Sequence, residues 1–105
     1  MSSLKTLAAA YAIAKRVYEQ TLKREDGARA LHASDSVNRN SAKDLIDAYK
    51  HLRRGESFQR TLSQPDMDFY LENIYTDYGA SALQTALHSL WLHIAWLETG
   101  QIKRA

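Results

Sequence analysis

Apolar residues recur at three- and four-residue intervals in four separate stretches of this chain, and that spacing restricts the fold to packed helices. The first stretch places Leu4, Leu7, Ala10, Tyr11, Ala14, Val17, Tyr18 and Leu22 on one arc. Lys5, Lys15, Arg16, Glu19 and Lys23 fall on the opposite side. Ser2 or Ser3 can cap this helix, which the pattern carries to about Asp26, where Asp26-Gly27 predicts a stop. Residues 28–33 suit a short helical turn, and Ser34 to Asn40 is polar enough for a loop.

A second helix is predicted from Ser41, where Ser41 and Asp44 resemble a capping box, to a C-cap at Gly55. Its stripe is Leu45, Ile46, Ala48, Tyr49 and Leu52, and Phe58 and Leu62 are expected to anchor the following connection. Ser63 with Pro65 and Asp66 opens a third helix that ends at Gly79, with Met67, Tyr70, Leu71, Ile74, Tyr75 and Tyr78 facing the core. Ser81 then caps a fourth helix running to Gly100, whose main stripe is Leu83, Leu87, Leu90, Trp91, Ile94 and Leu97. Four Gly and one Pro leave little material for the turns of an all-β fold. The expected architecture is all-α, a compact four- or five-helix bundle forming a single helical domain over residues 1–105.

Charge is unevenly distributed along the chain. The first sixty residues carry twelve basic and seven acidic side chains, a net of +5, whereas the remaining forty-five carry five acids against Lys103 and Arg104, a net of −3. No lysine or arginine occurs between Thr61 and Ile102. Such asymmetry bears on which partners a surface attracts, not on a reaction.

With no Cys there is neither a disulfide framework nor a thiolate metal site. The N-terminus does not read as a signal sequence, so a cytoplasmic location is expected. Ala80 to Leu97 is uncharged for eighteen residues, near the length of a membrane span. Its Ser81, Gln84, Thr85, His88, Ser89 and His93 are too many polar groups for lipid on every side, and a helix buried in protein is the expected alternative.

Three surfaces are candidates for binding. Phe69 falls on the outer side of the third helix among Asp66, Asp68, Glu72 and Asp77, a pattern that suits an apolar centre in an acidic recognition patch. Leu92 and Trp96 project away from the main stripe of the fourth helix. They are either core of a central helix or an anchor for a partner or second subunit, which would make a homodimer. Lys43, Lys50 and Arg54 line the outer face of the second helix, with Arg39, Arg53 and Arg60 nearby, a surface able to contact phosphates. Against that stands the interleaving of Asp44, Asp47 and Glu56, with Lys43 and Asp47 spaced as an ordinary surface pair.

No catalytic or metal-binding signature accompanies these surfaces. His88 and His93 lie about 140° apart around a helix and do not chelate as an i,i+4 pair would. Asp68 and Glu72 share a face without the Glu-x-x-His motif of a bundle metal site. Neither a nucleophile elbow nor a glycine-rich phosphate loop is present. The expectation is no enzyme, no cofactor and no metal.

The run Arg54-Gly55-Glu56-Ser57-Phe58-Gln59-Arg60-Thr61, then Tyr70-Leu71-Glu72-Asn73-Ile74-Tyr75, Asp77-Tyr78-Gly79, Ala86-Leu87 and His93-Ile94, resembles helical segments of some HNH-type restriction endonucleases. The resemblance covers about half the chain and lacks the ββα-metal histidines of the nuclease module. It implies an accessory helical module connected with nucleic-acid processing, not a nuclease.

Together these readings give a small non-enzymatic helical binding protein, a regulator or inhibitor acting through contact with another protein or protein complex. A phage- or mobile-element product occupying a nucleic-acid-binding host complex fits the acidic half. The alternative is a nucleic-acid-binding module using the basic face of the second helix.

Overall fold

The computed structural model describes residues 3–60 and 62–104, the side chains of 100–104 excepted. Among the described residues five helices follow one another: α1 Leu4–Tyr18, α2 Arg24–Asp35, α3 Arg39–Arg54, α4 Gln64–Tyr78 and α5 Ala80–Arg104. No strand occurs among the described residues, so the expected all-α bundle is the fold. The radius of gyration, 13.7 Å, matches the ~13 Å of a packed chain of this length.

Ser3 caps α1 by accepting a hydrogen bond from the Thr6 amide. The helix ends earlier than its apolar pattern predicts, at Tyr18 rather than near Asp26. Gln20 takes a left-handed conformation, φ +64°. The Gln20 amide bonds the Val17 carbonyl and the Thr21 amide bonds that of Arg16. This is a Schellman closure with glutamine where glycine is usual. The chain then reverses into α2, so the predicted stop at Asp26-Gly27 lies inside a helix instead. Gly27 is buried there because α1 crosses so near: a Cβ on it would sit 2.8 Å from Ile13 Cγ2.

α2 runs through the residues expected to be a turn and part of a loop, burying Ala28 and Leu31. Asn38, not Ser41, caps α3, its side chain accepting from the Asn40 amide at 2.8 Å. The predicted Ser41/Asp44 box therefore falls within the first turns. From there the expected pattern holds: Leu45, Ile46, Ala48, Tyr49 and Leu52 are all buried, and Gly55 closes the helix at φ +67°. α3 is the central element, packed against α1, α2 and α5. Phe58 is buried and Leu62 half-buried beneath the next connection, as expected.

α4 begins at its predicted cap, Ser63 accepting from the Asp66 amide, and ends at Gly79. Met67, Tyr70 and Ile74 enter the core. The Tyr70 hydroxyl donates to the Leu45 carbonyl at 2.9 Å, so its burial leaves no orphan donor. Tyr75 and Tyr78, predicted on the same stripe, are exposed. At the centre Tyr11 meets Tyr49 and Tyr70 edge-to-face at 5.3 and 5.8 Å, the arrangement favoured by ring quadrupoles.

Candidate docking surface

The acidic patch predicted on α4 is only partly presented to solvent. Asp66 is only 7% exposed, in the first turn of its helix, where the helix dipole favours a carboxylate. Asp77 accepts from the Tyr11 hydroxyl at 2.8 Å and pairs with Lys15 at 3.5 Å, tying α4 to α1. Phe69, expected on the outside, is half-buried with its ring edge-to-face on Tyr11 at 6.4 Å. The wheel for α4 alone misplaces it because α1 crosses α4 on that side. Asp68, Glu72 and Asp77 are exposed, but Asp77 is engaged by Tyr11 and Lys15, and the half-buried Phe69 does not stand out as an apolar centre among them.

The basic surface is also divided. Arg53 turns inward, its guanidinium 3.7 Å from the Tyr78 ring centroid and 5.1 Å from that of Tyr18. It donates to the Tyr49 hydroxyl at 2.8 Å. A guanidinium held in that cage by cation–π contacts is a structural group rather than a phosphate ligand. Burial alone would raise the Tyr78 phenol, but hydrogen bonding from Tyr49, Lys15 and Arg53 outweighs it and holds the group below its ordinary range. Lys43 pairs with Glu25 at 3.2 Å, and Arg24 forks onto both Asp47 oxygens at 2.7 Å. Arg39, Lys50, Arg54 and Arg60 remain exposed. Arg60 shares a groove of about 350 Å³ with Asp44, Asp47 and His51. On α2 and α3 the acids interleaved within the basic half thus pair with part of its cations.

The largest departure from expectation is the rotation of α5. Its buried face consists of Ala86, Ser89 and His93. The residues predicted to be core point outward: Leu87 is 45% exposed, Trp91 65% and Ile94 39%. The reason lies in the α3–α4 connection. Ser89 Oγ–H donates to the Glu56 carbonyl and His93 Nδ1 to the Phe58 carbonyl. The Phe58 carbonyl is buried and that of Glu56 partly so; a buried carbonyl left without a donor costs about 1–3 kcal/mol, so that connection draws the hydroxyl and imidazole inward. At about 100° per residue, Trp91 then lies diametrically opposite Ser89 and His93.

Ring stacking fixes the same rotation. Phe58 stacks on His93 at 4.2 Å, with His51 and Trp96 extending the row at 6.3 Å and 6.2 Å. Leu92 is half-buried and Trp96 38% exposed at the edge of this row. These two flank the inner face, while the outward face is made of residues assigned to the core. The signal that would have found it is the Ser89/His93 pair, four residues apart and so on one face of an uncharged run.

No group of three or more metal-ligating side chains occurs among the described residues. Nor is any helix among them long and apolar enough to cross a membrane. Comparison with protein families, curated proteins and solved structures gives no match to this chain. The resemblance to HNH-type endonuclease segments rests on the quoted residues alone.

Proposed function

We propose that this chain is a non-enzymatic helical binding protein that acts through protein–protein contact, with the outer face of α5 as its docking surface. The observation that carries this reading is the exposure of Leu87, Trp91 and Ile94 together on one uncharged helix face. Contiguous apolar patches of this kind mark interaction sites on proteins, and Trp is among the residues enriched at their energetic centres. The core does not need these side chains, because Ala86, Ser89 and His93 fill the inner face. The acidic patch would suit an inhibitor of a nucleic-acid-binding complex, but with Asp66 buried and Phe69 half-buried the exposed apolar face of α5 supports the docking role better.

A tagged-bait capture experiment tests this reading. Wild-type protein and a Asp68→Lys/Glu72→Lys variant should retain the same stoichiometric partner, while Leu87→Asp/Ile94→Asp loses it with unchanged circular dichroism. Equal capture by all three baits would place the interface elsewhere.

A second reading keeps nucleic acid as partner, supported by exposed Lys50 and Arg54, one helical turn apart on α3. It requires a mobility shift that weakens steeply with salt and disappears in Lys50→Glu/Arg54→Glu. Absence of any shift at low salt removes it.

A further inference from the structure

Leu83, Leu87, Leu90, Ile94 and Leu97 are spaced 4-3-4-3 along α5, the a/d register in which one helix packs along another. Leu83, Leu90 and Leu97 are half-buried at the base of the exposed ridge, and Trp91 stands beside it. The five positions span about 21 Å of helix. We infer that the occupant of this face is a second copy of the chain, its α5 packed antiparallel against the first about a two-fold axis at Leu90. This inference rests on the docking role proposed above for the same face.

Charge favours a like copy over a foreign partner. From Ala80 to Leu97 the helix has no carboxylate, ammonium or guanidinium, so a partner selected by complementary charge finds nothing there to read. Two uncharged faces meet without repulsion, whereas the chain as a whole carries +2. A two-fold interface requires one patch to complement itself, and the seam does so. In the antiparallel arrangement Leu90 meets its own copy, Leu87 faces Ile94 and Leu83 faces Leu97. The two helix dipoles then run in opposite directions. α3 and α4 brace α5 from behind, so a short seam need not stand alone as a coiled coil.

The area is sufficient for a modest dimer. Trp91, Leu87 and Ile94 expose on the order of 300 Å² of apolar side chain, and the half-buried leucines bring the seam to roughly 400 Å². At the ~65% apolar share of homodimer interfaces this corresponds to roughly 600 Å² per copy. A total of about 1,200 Å² is the lower edge of stable specific interfaces. The association is therefore expected to be reversible over micromolar concentrations.

Sedimentation from micromolar to millimolar protein tests the pairing. The mass should rise from 11.9 kDa toward twice that value, and Leu87→Asp/Ile94→Asp should stay at the monomer mass with unchanged circular dichroism. The chain has no native cysteine, so engineered thiols report geometry cleanly. Leu90→Cys should oxidise to a covalent dimer. Leu83→Cys should do so only when mixed with Leu97→Cys. Self-linkage of Leu83→Cys alone would mean a parallel pair and overturn the axis at Leu90. A wild-type chain that stays monomeric at millimolar concentration overturns self-pairing. In that event, loss of heterologous capture in Leu87→Asp/Ile94→Asp would still uphold the docking face, and retained capture would sink both.

Discussion

Replacing Gly27 with alanine sets two opposing effects against each other. Gly27 lies within α2, so the substitution removes a helix-interior glycine and should gain about 1 kcal/mol in propensity. The new Cβ, however, would stand 2.8 Å from Ile13 Cγ2 and 3.3 Å from both Val17 Cγ2 and Ile46 Cδ1. Ile46 Cδ1 is the end of a side chain and can turn aside. The two Cγ2 groups belong to β-branched residues whose χ1 is confined in a helix, so relief requires α1 itself to move. Overpacking of this kind costs about 1–3 kcal/mol.

Steric cost should win over propensity, leaving Gly27→Ala about 1 kcal/mol less stable, a fall in melting temperature of about 4 °C. Urea denaturation should show a lower midpoint at constant slope. Adding Ile13→Leu, which deletes the offending branch, should recover most of the loss. A Gly27→Ala protein more stable than wild type by the full ~1 kcal/mol of helix propensity would show that α1 does not cross α2 at this glycine.

Three further outcomes follow from the same packing. Trp91→Ala should cost about 1 kcal/mol in dilute monomer, roughly a third of the full loss for a buried Trp, whereas Ile74→Ala in the core should cost about 2–5 kcal/mol; paired denaturation curves decide it. Ser89→Ala should destabilise by about 1–3 kcal/mol although it deletes only one oxygen, because the Glu56 carbonyl loses its donor; a neutral result would remove the reason given for the rotation of α5. Burial, above all, raises the phenols of Tyr11, Tyr49 and Tyr70 in the fold. Their stabilisation is complete below the unfolded value of about 10 and declines as pH rises above it. Tyr78, held low, adds stability as pH rises toward about 10 and nothing to the slope beyond it; denaturation midpoints that stay level well above pH ~10 would contradict the buried aromatic centre.

How much of this was legible in the sequence depends on whether the deciding interaction was local. Ser63, Gly55 and Gly79 act within a few residues of themselves, and the ends they mark are where they were expected. The stripe of α3 was also legible, since Leu45, Ile46, Tyr49 and Leu52 bury together on a single face. The α1–α2 reversal was not, because Gln20 has no sequence feature that announces a left-handed residue, and Gly27 looks like a stop rather than a crossing point. Phe69 was misplaced for want of knowing that α1 covers that side of α4. The α5 error runs deeper. Counting apolar residues assigns Leu87, Trp91 and Ile94 to the core, but two carbonyls in the α3–α4 connection take their hydrogen bonds from Ser89 and His93. That pairing exists only after the chain has folded, and it turned the candidate interface outward.

The outward direction of Trp91 is open to direct measurement. Trp96→Phe leaves Trp91 as the sole indole in the chain, and its fluorescence in dilute solution reports solvent contact. A red-shifted emission readily quenched by acrylamide is the expected result. Blue-shifted, protected emission at every concentration, persisting when Leu87→Asp is added to block pairing, would place Trp91 in the core and leave α5 without a docking face.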